Sequence, residues 1–169
     1  MRFEVGTKNN IKEIMDIIND SKKRLKQSGI NQWQDGYPNE EVFINDCNNK
    51  ECYVCYDKDT LCGVFVLSFR PDPTYRKIYE GNWGGEGYGA LHRVAVHSKY
   101  LGQGIGSKLI EYAKQVCQQK NISWLRVDTH EENKTMKRLL EKNGFTYRGI
   151  IYLEDNSKRN AYDCNVYKE

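Results

Sequence analysis

The feature that most narrows the folds open to this chain is a short apolar run at residues 91–96, followed by glycines at 102, 104 and 106 and then a helical pattern. Glycine reaches backbone conformations closed to other residues and lets a ligand approach the main chain. The amides of Gln103, Gly104, Ile105, Gly106 and Ser107 are therefore expected to stand free at the positive end of a helix dipole. Amides so placed form a cradle for phosphate. A tight strand-to-helix turn without a ligand would use the same spacing, so the glycines alone leave both readings open. Two other phosphate loops do not fit. The chain has no Gly-x-x-x-x-Gly-Lys-Ser/Thr run, and a dinucleotide fingerprint needs glycine where Ser107 stands.

The surrounding pattern sets the architecture. Ile105, Leu109, Tyr112, Ala113 and Val116 give the helix after the loop an apolar face over about residues 104–120. Upstream, residues 2–5 read as a strand, and Ile11, Ile14, Met15, Ile18 and Leu25 fall at helical spacing. A short helix is expected over 39–46, then strands over 51–56 and 61–69 joined by a polar turn. Downstream come a strand at 123–129, a helix at 133–142 stopped by Gly144, and strands at 146–153 and 160–167. Strands and helices alternate only partly. This predicts an α/β (α+β mixed) fold, with a central mixed sheet of about seven strands and helices on both faces. No repeat or linker divides the sequence, so residues 1–169 are expected to form a single domain.

Composition removes several function classes. A formal charge of +3 is far from the basic bias of a nucleic-acid binder, so no nucleic-acid partner is expected. Arg2, Glu4, Lys8, Lys12 and Glu13 interrupt any apolar leader, and the longest apolar run, 61–69, is too short to span a bilayer. A cytoplasmic location with no membrane partner follows, and the six cysteines then read as reduced thiols. Cys52 and Cys55 form a Cys-x-x-Cys pair, but on a strand residues three apart face opposite ways, so no metal site is expected. The basic cluster Lys22, Lys23, Arg24 and Lys26 lies on the first helix and reads as a solvated face or a partner site.

The run Leu91-His92-Arg93-Val94-Ala95-Val96, the loop Leu101-Gly102-Gln103-Gly104-Ile105-Gly106 and the helix that follows resemble the acetyl-CoA motif of the GNAT superfamily of N-acetyltransferases. Val127-Asp128-Thr129, Asn133, Leu139-Leu140 and Gly144-Phe145 resemble the second half of the same core. The resemblance implies an acyltransferase that moves an acetyl group from acetyl-CoA to a primary amine of a small molecule or protein, by direct attack in a ternary complex. The alternative is a non-catalytic acyl-CoA-binding sensor or interaction module. It also implies roles for particular residues. Val94 and Val96 would pair with the pantetheine arm, and the Val94 amide would polarise the thioester carbonyl. Gly102, Gln103, Gly104, Ile105, Gly106 and Ser107 would hold the pyrophosphate, and Asn133 would reach the cofactor arm. Homodimers are common among similar proteins. Two positions depart from the family. Leu101 stands where Arg or Gln is usual, and Leu140 stands where members commonly carry a Tyr that protonates the leaving thiolate.

Within that reading the attacking amine must be neutral, so a base is required. His92 alternates with Val94 and Val96 and is expected to share their face; a histidine satisfied inside the sheet is the competing reading. Glu86, in the loop before the strand, is the second catalytic candidate, with a solvated carboxylate as its alternative. Asp128 and His130 follow. Trp33, Tyr37, Tyr79 and Trp83 lie in loops that flank the acceptor cleft of this family, where they would bind an amine by cation–π contact or simply pack.

Overall fold

Strand β1 (Arg2–Val5) leads through a 3-10 turn at Lys8–Asn10 into helix α1 (Ile11–Gln27), in a computed structural model that describes residues 1–168. Helix α2 (Glu40–Asn48) and strands β2 (Cys52–Asp57) and β3 (Thr60–Ser68) follow. Next come β4 (Tyr88–Val96), α3 (Ile105–Gln119), β5 (Trp124–Thr129), α4 (Lys134–Lys142), β6 (Thr146–Tyr152) and β7 (Lys158–Asn165). The seven strands follow the order β1-β2-β3-β4-β5-β7-β6. The β1–β2, β2–β3, β5–β7 and β6–β7 pairs are antiparallel and β4–β5 is parallel, which makes the sheet mixed, as the partial alternation of elements implies.

The helices start and stop where local chemistry dictates. Asn39 Oδ1 accepts from Val42 N at 3.0 Å and caps α2, and Asn133 Oδ1 accepts from Met136 N at 3.1 Å and caps α4. Both α1 and α4 end on a left-handed glycine, Gly29 at φ +71° and Gly144 at φ +84°. The bonds Ile30 N to Leu25 O (2.9 Å) and Phe145 N to Leu140 O (3.0 Å) close each end by satisfying carbonyls that the helix would leave bare.

The chain divides into two compact units. The first comprises Met1–Leu67 and Arg93–Leu109. In it Ile11, Ile14, Ile17 and Ile18 of α1 pack with Phe43 of α2, Val54 of β2, Val64 and Val66 of β3, and Ala95 of β4. Burying each such aliphatic side chain contributes about 1.5–3 kcal/mol. Gly63 of β3 lets α3 come close: a β-carbon there would lie 3.1 Å from Leu109 and 3.2 Å from Ile105. Cys52 belongs to the apolar cluster beneath α1, whereas Cys55 sits by Met1 (Sγ to Sδ 3.7 Å) and accepts at its carbonyl from the Cys62 thiol (3.3 Å). The Cys-x-x-Cys pair therefore serves two separate surroundings, and all six cysteines are free and buried.

The second unit holds Ser68–His92 and the chain from Ile110 onward. Here Tyr75, Ala90, Ile151 and Ala161 form one apolar cluster, with Trp83 and Tyr88 packed against it. The segment before β4 is pinned to this unit. Tyr79 bridges to Ile150, Gly84 N donates to Asp163 (2.7 Å), and β-carbons at Gly84 or Gly85 would collide with the Trp124 ring at 2.5 and 2.0 Å. Among the described residues no helix is long and apolar enough to cross a membrane.

The closeness of α3 to β3 is testable. Gly63→Val should lower unfolding free energy in urea by about 1–3 kcal/mol, because the added methyls overpack a site already at contact distance. Gly63→Ala should lose clearly less.

Candidate active site

The β4–β5 ladder is short. It runs Tyr88↔Trp124, Gly89↔Leu125, Ala90↔Arg126 and stops there. Further along, His97 N donates to Cys62 O at 2.9 Å. Successive strand residues direct their main-chain groups to opposite edges, so those of Val96, and of Val94 two residues earlier, point away from Cys62. The Val96 carbonyl indeed receives the Arg24 guanidinium (Nη2 to O, 3.3 Å). A carbonyl has a second lone pair, so that edge still offers donors and acceptors to an extended ligand.

After β4 a 3-10 turn at Ser98–Tyr100 leads to exposed Leu101 and the glycine loop. Gly102 and Gly104 are left-handed at φ +75° and +78°, and a β-carbon at either would meet nothing within 4 Å. These two positions need glycine for conformation, and the space around them is open. The Gln103 amide donates to Tyr100 O (3.3 Å), which corrects the expectation that it stands free. The loop's own turn consumes it. Lys108 N donates to Gly104 O (3.2 Å), so the amides of Gly104, Ile105 and Gly106 lie upstream of this intrahelical donor. Open space beside amides at a helix N-terminus fits a pyrophosphate. Ser107 follows on the first turn of the same helix.

Expectation and structure part company at Arg93. Its φ is +50°, and left-handed backbone breaks the alternation of an extended strand. The shared face of His92, Val94 and Val96 argued from spacing therefore does not follow. Arg93 instead turns its side chain onto Asp46 of α2, with Nε to Oδ2 at 2.8 Å and Nη2 to Oδ1 at 2.7 Å, and Nη1 donates to the Tyr37 hydroxyl. The basic cluster on α1 is divided too. Arg24 faces inward to Asp20, Ser21 and Val96, and Lys22 Nζ donates to Pro38 O at 2.6 Å, leaving Lys23 and Lys26 exposed.

His92 lies in a polar cluster of the second unit. Its Nε2 is 3.4 Å from Asp72 Oδ2, and its ring stacks on Tyr75 with centroids 6.1 Å apart. Tyr75 in turn donates to Asp128 Oδ2 at 2.7 Å. The two carboxylates are pushed in opposite directions. Burial works to raise Asp72, but hydrogen bonds from His92 and Thr74 outweigh it and bring its pKa down to about 2. Burial dominates at Asp128 and raises its pKa, even against the Tyr75 hydroxyl. Asp72, Tyr75 and Asp46 carry no local sequence signal that would have marked them.

The remaining candidates are scattered. Glu86 is exposed on the loop before β4. Trp33 packs on the apolar cluster of the first unit, whereas Tyr37 is 44% exposed with its hydroxyl held by Arg93. Tyr79 is 39% exposed and meets Tyr152 edge-on, and Trp83 is fixed by its indole N–H to Tyr75 O (2.9 Å) and by Arg126 over its ring. Asn133 uses its Oδ1 to cap α4, and His130 Nδ1 accepts from Glu132 N at 3.0 Å. Leu140, at the position where the family resemblance implies a thiolate-protonating Tyr, is fully buried.

Across residues 11–145 the chain matches the profile of the acetyltransferase (GNAT) family. YesJ of Bacillus subtilis (strain 168), described as an uncharacterized N-acetyltransferase, is 22% identical over 130 residues, covering 74% of this chain and 70% of that protein. A GNAT-family acetyltransferase of Streptococcus agalactiae 2603 superposes with a TM-score of 0.86 at 29% identity, over 99% of this chain and 95% of that one. YncA from Salmonella typhimurium, solved with its cofactor acetyl-CoA, gives 0.72 at 14% identity over 100% and 95%, a likeness of fold.

The Asp72 contacts make a prediction about pH. A folded pKa of about 2, below the ordinary 3.8, stabilises the fold above pH ~4, and that stabilisation disappears as pH falls through about 2. In urea unfolding, Asp72→Asn should be less stable than the parent by up to about 2 kcal/mol near neutrality, and the gap should close between about pH 4 and pH 2. A gap that is constant with pH would show that the carboxylate charge is not what these contacts hold.

Proposed function

The chain belongs to the GNAT acetyltransferase family and is an acetyl-CoA-dependent acetyltransferase, and on that premise we propose that it acetylates a primary amine of a small molecule or a protein by direct attack in a ternary complex. The observation that carries this reading is the open, left-handed glycine cradle at the start of α3, directly downstream of a strand edge that presents Val94 and Val96.

In this reading the amides of Gly104, Ile105 and Gly106 bind the pyrophosphate, with Gly102 and Gln103 shaping the loop around it and Ser107 completing the first turn. Val94 and Val96 pair with the pantetheine arm as an added strand would, and Asn133 reaches the arm from the head of α4. Bound acetyl-CoA supplies the thioester carbon that the amine attacks. The Val94 N–H donates to the oxygen on which charge develops, and a backbone donor aimed in this way is worth about 3 kcal/mol. His92 accepts the amine proton, and Asp72 orients its ring and balances the charge that results. Glu86, exposed on the preceding loop, is the alternative base.

Tyr37 and Tyr79, each partly exposed with a protein cation over its ring (Arg93 and Lys77), would offer cation–π contact to an acceptor, whereas Trp33 and Trp83 serve packing. The leaving thiolate comes from a thiol of pKa about 8.5, which is tolerable near neutrality without an acid at Leu140. The whole chain acts as one transferase domain, in the cytoplasm.

Acetyl-CoA at about a hundred times its Kd should stabilise the fold by roughly 2.7 kcal/mol and raise Tm by several degrees, whereas ATP and NADH should not. Gly104→Asp should remove that shift by setting a carboxylate where phosphate binds. Its intrinsic penalty is only about 1–2 kcal/mol, because the left-handed site is open. An unchanged acetyl-CoA shift in the folded variant would defeat the cradle. His92→Gln should slow amine-dependent CoA release by about 10²–10⁴-fold with acetyl-CoA affinity intact. Parent-like turnover would move the base to Glu86.

A further inference from the structure

β4 leaves the extended region at Arg93, a residue type that enters left-handed backbone only at a cost of about 1–2 kcal/mol. The same side chain is held more tightly than its surroundings require. Two parallel bonds tie it to Asp46, the Tyr37 hydroxyl takes its remaining terminal nitrogen, and the Arg93 and Asp46 side chains are only 13% and 8% exposed. Burial opposes the Arg93 charge, but Tyr37 and Asp46 outweigh it and hold its pKa above the usual guanidinium value. A buried ion pair does little for stability that a well-packed apolar pair would not do as well. What a two-bond fork adds is a fixed orientation, and here it is spent on the one strained residue immediately before Val94. Left-handed backbone has ψ of about +45° against about +135° in a strand, so relaxing Arg93 would swing the peptide plane carrying the Val94 N–H through roughly a quarter-turn.

We propose that the Arg93–Asp46 fork, braced by Tyr37, is a positioning device that holds the β4 kink and thereby aims the Val94 N–H at the thioester oxygen. This rests on the role given to Val94 above.

The readout is the carbonyl stretch of acetyl-CoA labelled with ¹³C at the thioester carbon, measured free and bound by isotope-edited infrared spectroscopy. The bound parent should show a stretch lowered by the hydrogen bond. Arg93→Ala and Arg93→Gly are each combined with Asp46→Asn, so that no carboxylate is stranded in the interior. The alanine variant should lose most of the lowering while its affinity for acetyl-CoA stays within about threefold. The glycine variant, free to keep positive φ, should retain a larger part of it. Full lowering in both, or equal loss in both, overturns the proposal. Should the double variants fail to fold, Tyr37→Phe replaces them: partial loss of the lowering at a parent-like Tm supports the device, and full lowering overturns it. A parent that binds acetyl-CoA with no lowering removes the Val94 role and this proposal with it, whereas a parent that binds no acetyl-CoA overturns the functional reading itself.

Discussion

Everything the site offers an anion depends on where α3 begins, and that is settled by a contact with a side chain on one side only. Ile105 and Leu109 descend onto Gly63, where a β-carbon would already crowd them. Because Ile105 is both the first helical residue and a buried anchor, the amides around it cannot drift without uncovering core. The two left-handed glycines just upstream then let the chain turn into the helix without a side chain entering the open space there. Packing on the inside of the helix and emptiness on the outside are two results of the same local sequence.

The second unit distributes charge differently. Asp72 and Asp128 both neighbour His92 electrostatically, yet one is held ionised and the other is driven toward its neutral form. Environments that separate two like groups in this way divide roles between them. Asp72 is suited to facing a cationic imidazole. Asp128, bonded by a tyrosine that is itself almost wholly buried, is suited to holding Tyr75 beneath the histidine ring.

Much of this was legible in the sequence wherever the signal is local. The isoleucine spacing of α1, the terminating Gly144 and the glycine loop each act within a few residues, and the elements fall where those signals put them. The start of β4 lies three residues earlier than its apolar run implied, because Tyr88-Gly89-Ala90 gains its strand character from pairing with β5 and not from its own composition. Contacts across long separations were not legible. Asp46 and Arg93 are 47 residues apart, and nothing near either one announces the other. An arginine gives no hint of left-handed backbone, so the regular alternation assumed through residues 92–96 failed at the one position where tertiary contacts override local preference. The bond that the Gln103 amide makes was not legible for a smaller reason: glycines signal that a turn occurs, not which amide the turn consumes.

The six buried cysteines shape how this protein can be handled at the bench. Transfer from a thioester liberates a thiol, and the usual dye for following such a reaction answers to any accessible sulfur. While the chain stays folded its own sulfurs are shielded, so colour reports turnover. Once it opens, the enzyme adds its own signal to that of its product. A rising baseline in an otherwise silent reaction is therefore a clock for unfolding, built into the protein by where its sulfurs lie.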